Sequence, residues 1–124
     1  MNADHCPFCE PSAEEIVLKN ELAFARYDKF PVSPGHILII PNRHVANYFE
    51  LSMDEQAACW RLVNEAQAAV ASRHSPDGYN IGVNVHVAGG QSVWHAHIHL
   101  IPRYKGDVAE PLGGVRNLMP RKPR

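Results

Sequence analysis

Residues 94–101 of this 124-residue chain read Trp94-His95-Ala96-His97-Ile98-His99-Leu100-Ile101, a strict alternation of polar and apolar side chains. Successive side chains of an extended strand point to opposite faces. The segment therefore projects His95, His97 and His99 from one face, about 7 Å apart, while Ala96, Ile98 and Leu100 pack behind it. The chain holds eight histidines, and three at period two are not the random decoration of a solvated strand. Two chemistries suit them. Histidines at i and i+2 on a strand are frequent ligands of zinc or iron. Alternatively, one imidazole attacks as a nucleophile while its neighbours donate protons and bind oxygens, which suits phosphorus because neutral imidazole is nucleophilic near pH 7. The second is favoured.

The length leaves room for one domain, residues 1–124, with a core over about 6–118 and a basic tail over about 116–124 carrying Arg116, Arg121, Lys122 and Arg124. A chain 45% apolar and 20% charged is expected to fold. Its formal charge of −1 provides no field for a nucleic-acid duplex or an anionic membrane, so an anionic ligand must be held locally. No window approaches the roughly 18 consecutive apolar residues of a membrane span, and the start Met1-Asn2-Ala3-Asp4 lacks a signal-peptide pattern. A cytoplasmic protein is expected.

Residues 16–27 read as a hairpin turning at Asn20-Glu21, and Ile37-Leu38-Ile39-Ile40 as a strand buried on both faces and stopped by Pro41. Ser52 and Glu55 form a capping box that opens a helix over about 52–74, with Ala57, Trp60, Val63, Ala66, Gln67 and Val70 at helical spacing. Cys59 on that helix is read as core packing. Strands over Tyr79–Val87 and Val93–Ile101, joined by a Gly89-Gly90 bend, complete an α+β fold: a five-stranded, mainly antiparallel sheet with one long helix. Gly89-Gly90-Gln91-Ser92 could bring backbone N–H groups to an anion or be a plain turn. Asn80, Gly82 and Asn84 would share one face.

His95-Ala96-His97-Ile98-His99-Leu100-Ile101 resembles the signature of the histidine triad (HIT) family of nucleotide hydrolases and transferases. Pro31-Val32-Ser33-Pro34-Gly35-His36 through Pro41-Asn42-Arg43-His44 is similar to its second characteristic stretch, Gly90-Gln91-Ser92-Val93 to its approach to the triad, and Leu100-Ile101-Pro102-Arg103 to the exit of its fragile-histidine-triad-like and bacterial hydrolase branch. The resemblance implies hydrolysis at the α-phosphorus of a diadenosine polyphosphate or adenosine phosphoramidate, with no organic cofactor. His97 would attack and carry the nucleotide covalently until water releases a nucleoside monophosphate, with His99 binding phosphate oxygens. It further implies His36 as support for the triad, Asp28 on the ribose hydroxyls, Asn84, Gln91 and Ser92 at the phosphates or leaving group, and Phe8 with part of the Leu22–Tyr27 run at the base. Arg26 departs from the apolar residue expected there.

Cys6-Pro7-Phe8-Cys9 alone fits a redox pair, a zinc half-site or neither. Bacterial HIT proteins and galactose-1-phosphate uridylyltransferase imply a structural zinc on Cys6, Cys9, His44 and His95; a zinc-bound His95 could not also protonate a leaving group. His5 is a competing ligand, and His74 and His86 are read as without function. Two alternatives remain: a nucleotide-binding regulatory protein with vestigial catalysis, and a nucleotidylyltransferase. The resemblance also implies a homodimer through the long helix and a sheet edge, with Trp60 as a candidate anchor.

Overall fold

In the computed structural model, which describes residues 6–120, the chain runs β1 (Leu18–Lys19), β2 (Ala23–Tyr27), β3 (Ile37–Pro41), α1 (Met53–His74), β4 (Gly78–Gly82) and β5 (Ile98–Arg103). Single turns of 3-10 helix lie at Tyr48–Glu50, Val87–Gly89 and Gly114–Leu118. The strands form one sheet in the order β1-β2-β3-β5-β4, and every neighbouring pair is antiparallel. This is the expected α+β architecture. His5 and the tail residues Arg121, Lys122 and Arg124 lie outside the described residues.

The β1–β2 hairpin closes on Asn20, whose side-chain oxygen accepts from the N–H groups of Leu22 and Ala23 while its amide donates to the Ala58 carbonyl of α1. β3 is buried along its whole length. On one face Ile37 and Ile39 join Ala23, Ala25, Ile98 and Leu100 against α1, and on the other Leu38 and Ile40 pack with Phe24 and Phe8. The helix presents Ala58, Cys59, Leu62, Val63, Ala66 and Val70 to the sheet. Ala57, Trp60 and Gln67, expected on that stripe, are exposed. The apolar arc runs one position away from them, through Ala58, Cys59 and Leu62.

The capping box forms as expected: Ser52 accepts from the Glu55 N–H, and Glu55 accepts from the Ser52 N–H. Glu55 has a second partner, since Arg43 grips both its oxygens at 3.0 and 2.8 Å. The pair holds the carboxyl down at about 2 and ties the loop after β3, which carries His44, to the helix start.

Strand boundaries differ from expectation at both ends of β5 and at the end of β4, whose expected limit is Val87. β5 begins at Ile98 rather than Val93: its pairing with β3 ends at Ile39↔Ile98, although β3 itself runs on to Pro41 beside β2. Residues 92–97 run instead along the 42–47 loop, where the Ala96 N–H bonds to the Val45 carbonyl. β5 also continues past the expected stop at Pro102. Tyr79 of β4 faces Pro102 in the register, and the Pro102 carbonyl accepts from Ser33 on the opposite side, where β3 no longer pairs. The proline ring thus takes the place of a donor that the sheet does not need. β4 ends at Gly82, so the face shared by Asn80 and Gly82 does not extend to Asn84.

Candidate active site and metal cluster

The sheet face away from α1 carries the chemistry. Arg26, His36 and the triad histidines lie on that face, and Phe8 of the N-terminal segment packs there against Phe24, Leu38 and Ile40 and against the His95 and His97 rings. His95 and His97 precede β5 and only His99 lies within it, yet the alternation persists: Ala96, Ile98 and Leu100 are buried behind. The His97 and His99 rings meet with centroids 4.9 Å apart, and the Phe8 ring sits edge-on to His97 at 5.1 Å and His95 at 6.1 Å.

Hydrogen bonds set the tautomers. His97 Nδ1 lies 2.8 Å from the His95 carbonyl. A carbonyl only accepts, so Nδ1 carries the proton and the Nε2 lone pair is free. The Val32 N–H donates to His36 Nδ1 at 3.2 Å, which places the proton of neutral His36 on Nε2. That nitrogen lies 3.0 Å from His99 Nδ1 and 3.5 Å from Asp28 Oδ2. His99 therefore accepts at Nδ1 and offers Nε2–H as a donor. Neutral His97 is a lone pair and neutral His99, beside it, is a donor. Burial pushes His36, His97 and His99 below the ordinary imidazole value of 6.5, against the smaller upward pull of Asp28.

A second cluster adjoins the first. The ligand atoms of Cys6, Cys9, His44 and His95 all lie within 4.8 Å of one another. His95 Nδ1 is 3.3 Å from Cys6 Sγ, 3.5 Å from Cys9 Sγ and 3.2 Å from His44 Nδ1, and Cys9 Sγ is 3.1 Å from His44 Nδ1. A tetrahedral zinc with bonds of about 2.0 Å to nitrogen and 2.3 Å to sulfur has edges of about 3.3–3.8 Å. His95 Nε2 donates to the Pro41 carbonyl at 2.7 Å, which leaves the Nδ1 lone pair pointing into the cluster. Metal-bound histidines are held by such a bond from the other ring nitrogen. The donor set fits zinc, and Cys6 and Cys9 are free thiols. Asp28, His36 and His99 also cluster, but the Val32 N–H occupies His36 Nδ1. The proton then sits on Nε2, the nitrogen a metal would need.

A family model described as HIT domain matches residues 11–106. The chain belongs to the HIT family. An uncharacterized 16.1 kDa HIT-like protein of Mycoplasma pneumoniae is 37% identical over 109 residues, 85% of this chain and 76% of its own. The bis(5'-nucleosyl)-tetraphosphatase (asymmetrical) of Schizosaccharomyces pombe is 33% identical over 100 residues, 81% of this chain and 55% of its own. Among solved structures, a Zn-bound histidine triad family protein from Mycobacterium smegmatis superposes with a TM-score of 0.75 at 26% identity, covering 88% of this chain and 82% of that one.

The remaining residues expected in this HIT-family site are placed unevenly. Gln91 is buried, its amide donating to the Ala46 and Val93 carbonyls and its oxygen accepting from the His86 N–H. Its polar atoms are thus committed to holding the loop. The N–H groups of Gly89, Gly90 and Gln91 also close bonds within the turn, to His86 and Val87. Ser92 and Asn84 are exposed. Sequence reasoning missed Glu15, which pairs with Arg26, and the backbone groups of Val32 and Pro41 that orient His36 and His95. Nothing in residue identity could have signalled the last two.

His86 stands in backbone that glycine alone adopts readily, with φ 64 and ψ 173. Its N–H is held by Gln91 and its carbonyl accepts from Gly89 and Gln91, so the loop fixes the strain in place. Replacing it relieves that strain: His86→Gly is expected to raise stability by about 1 kcal/mol in urea unfolding, whereas an unchanged or lower midpoint would show that the strain is absent.

Proposed function

We propose that this HIT-family protein hydrolyses a nucleotidyl substrate at its α-phosphorus, of dinucleoside polyphosphate or nucleoside phosphoramidate type, and releases a nucleoside monophosphate. The observation that carries the reading is the His97 Nδ1–H bond to the His95 carbonyl beside the His36–His99 pair. It leaves a nucleophilic Nε2 next to a phosphate donor. The fission-yeast relative's name describes a hydrolase of nucleosyl tetraphosphates, in keeping with this chemistry.

In the first step the Nε2 lone pair of His97 bonds to phosphorus, the bond to the leaving group breaks with its electron pair, and the nucleotide stays on His97. Positive charge on the ring is relieved through Nδ1–H and the His95 carbonyl. His99 Nε2–H, fixed by His36, meets the oxygen on which negative charge grows, an interaction worth about 3–4 kcal/mol by analogy with oxyanion donors. Asp28 accepts from the ribose hydroxyls, and Phe8 walls the base side. Gln91 positions the loop before the triad, while Ser92 and Asn84 lie exposed for contact with the leaving group. Water then attacks phosphorus, the P–Nε2 bond breaks with its electron pair returning to His97, and a proton of the attacking water passes to solvent.

Zinc on Cys6, Cys9, His44 and His95 would supply a structural crosslink between the N-terminal segment, the loop after β3 and the triad segment. Both ring nitrogens of His95 are then committed, to metal and to Pro41, so His95 positions the carbonyl that His97 uses and transfers no proton. Burial with the neighbouring Cys6 pushes the metal-free Cys9 thiol up to about 11, the opposite of a redox-reactive thiolate. Free thiols suit a reducing compartment such as the cytoplasm, and no helix among the described residues is long and apolar enough to cross a membrane. A homodimer would cover the open edge of β4 and the exposed face of α1, where Trp60 is 39% exposed and bonds to Tyr48.

Adenosine and guanosine phosphoramidates and dinucleoside tri- and tetraphosphates should release monophosphate with the wild type, and His97→Ala should lower the rate at least about a thousandfold; binding without turnover would favour the regulatory reading. Because burial lowers the pKa values of His97 and His99 below 6.5, the acid limb of kcat/KM should be centred below pH 6.5. An acid limb centred above pH 6.5 would contradict the neutral nucleophile. Metal analysis should find about one zinc per chain, with Cys6→Ser losing it and melting lower; unchanged melting would remove the structural role. Light scattering should give twice the 13.8 kDa chain mass, and a monomer would refute the dimer.

A further inference from the structure

The turn between β2 and β3 is tied to β5 by two hydroxyls that the mechanism above does not use. Ser33 Oγ–H donates to the Pro102 carbonyl of β5, and the Tyr104 hydroxyl, one residue beyond that strand, donates to the Pro34 carbonyl, each at 2.7 Å. Both have the ordinary O–H···O length. Gly35 of the same turn, at φ 86, lies so close to α1 that a Cβ there would come within 2.9 Å of the His74 ring and 3.1 Å of Val70. The turn is thus fixed to the strand that carries His99 and to the last turns of the helix.

What the turn carries is the Val32 N–H, 3.2 Å from His36 Nδ1. That donor chooses between two neutral arrangements of the His36–His99 pair. With it in place, His36 is protonated on Nε2, His99 Nδ1 accepts at 3.0 Å, and His99 keeps its proton on Nε2. Without it the pair can reverse: His36 Nδ1 takes a proton from solvent, the Nε2 proton of His36 passes to His99 Nδ1, and His99 Nε2 gives its proton to solvent. Each ring stays neutral and the bond between them survives with donor and acceptor exchanged. Ring packing therefore does not choose between the two. Asp28 Oδ2, 3.5 Å from His36 Nε2, is longer than the usual hydrogen bond and is the weaker bias. In the reversed form His99 Nε2 presents a lone pair, which repels the oxygen that its N–H would bind.

We propose that residues 32–35 form a tautomer latch in which Ser33 and Tyr104 are positioning residues: by fixing the turn to β5 they hold the Val32 N–H on His36 Nδ1 and so keep the His99 proton on Nε2. That this proton meets phosphate rests on the nucleotide reading above. The tautomers themselves do not.

Imidazole nitrogen NMR of the full chain without ligand, at about pH 8 where imidazoles are neutral, reads the protonated nitrogen of each ring, with His36 and His99 assigned through His36→Gln and His99→Gln. In the wild type both rings are expected to carry the proton on Nε2. Ser33→Ala combined with Tyr104→Phe should convert at least about a fifth of the molecules to the Nδ1–H form at both rings together, the scale of one lost hydrogen bond, and kcat/KM should fall by the same fraction. Ser33→Thr keeps the hydroxyl and should keep the wild-type pattern. Tyr104→Phe alone, which removes one oxygen, should shift both rings in the same direction and keeps the test available where the double variant does not fold. Unchanged His36 and His99 nitrogens in the folded variants, even with a lower melting point, show that the hydroxyls serve stability alone and overturn the latch. A wild-type His36 protonated on Nδ1 overturns it as well, and either result leaves the hydrolase reading standing on His97. No monophosphate release by a wild type with the expected nitrogens overturns the hydrolase reading and leaves the latch intact.

Discussion

The pairing of β5 with β3, fixed by Leu38↔His99 and Ile39↔Ile98, is the constraint on which the rest of the site depends. A slip of one residue would turn His99 into the helix-facing core and expose Ile98 and Leu100. Burial of β3 on both faces rules out that alternative, because Ile37 and Ile39 must meet α1 while Leu38 and Ile40 meet Phe8 and Phe24. The same pairing delivers one supporting group to each end of the triad. At one end His36 meets His99, and at the other the Pro41 carbonyl meets His95.

Those two contacts, with the bond of His97 to the His95 carbonyl, set three chemically identical side chains in three different hydrogen-bonding states. His95 turns Nδ1 toward the thiols because Nε2 is spent on Pro41, His97 keeps Nε2 free because Nδ1 is spent on His95, and His99 offers Nε2–H because Nδ1 faces His36. Burial reinforces the division by disfavouring the charged imidazoles. Arg26 introduces a permanent charge into the same neighbourhood, partly compensated by Glu15.

Much of this was legible beforehand. Alternation at 94–101, the aliphatic run at 37–40 and the Ser52–Glu55 box each encode a local preference that the tertiary structure keeps. Differences arise where another backbone partner competes. The triad segment has the composition of a strand from Val93 onward, yet it joins the ladder only at Ile98, because the residues before it bond to the loop after β3, as the Ala96 N–H does to the Val45 carbonyl. Gln91 has the chemistry of a phosphate donor, but burial against Ala46, Val93 and His86 engages its amide. On the helix Val63, Ala66 and Val70 pack on the sheet as expected, whereas Trp60 is apolar in type but lies just outside that arc.

By itself the sequence determined the α+β class, the shared face of the three histidines, and the residue types from which a zinc cluster can be drawn, because periodicity and side-chain chemistry are local properties. Only the tertiary structure decided which ring nitrogen each histidine presents, that Cys6, Cys9, His44 and His95 converge, and that Arg26 is buried with its Nε unmatched. Those outcomes depend on contacts between residues far apart in the chain. They follow from where backbone carbonyls and N–H groups fall once the strands are paired, which residue identity does not encode.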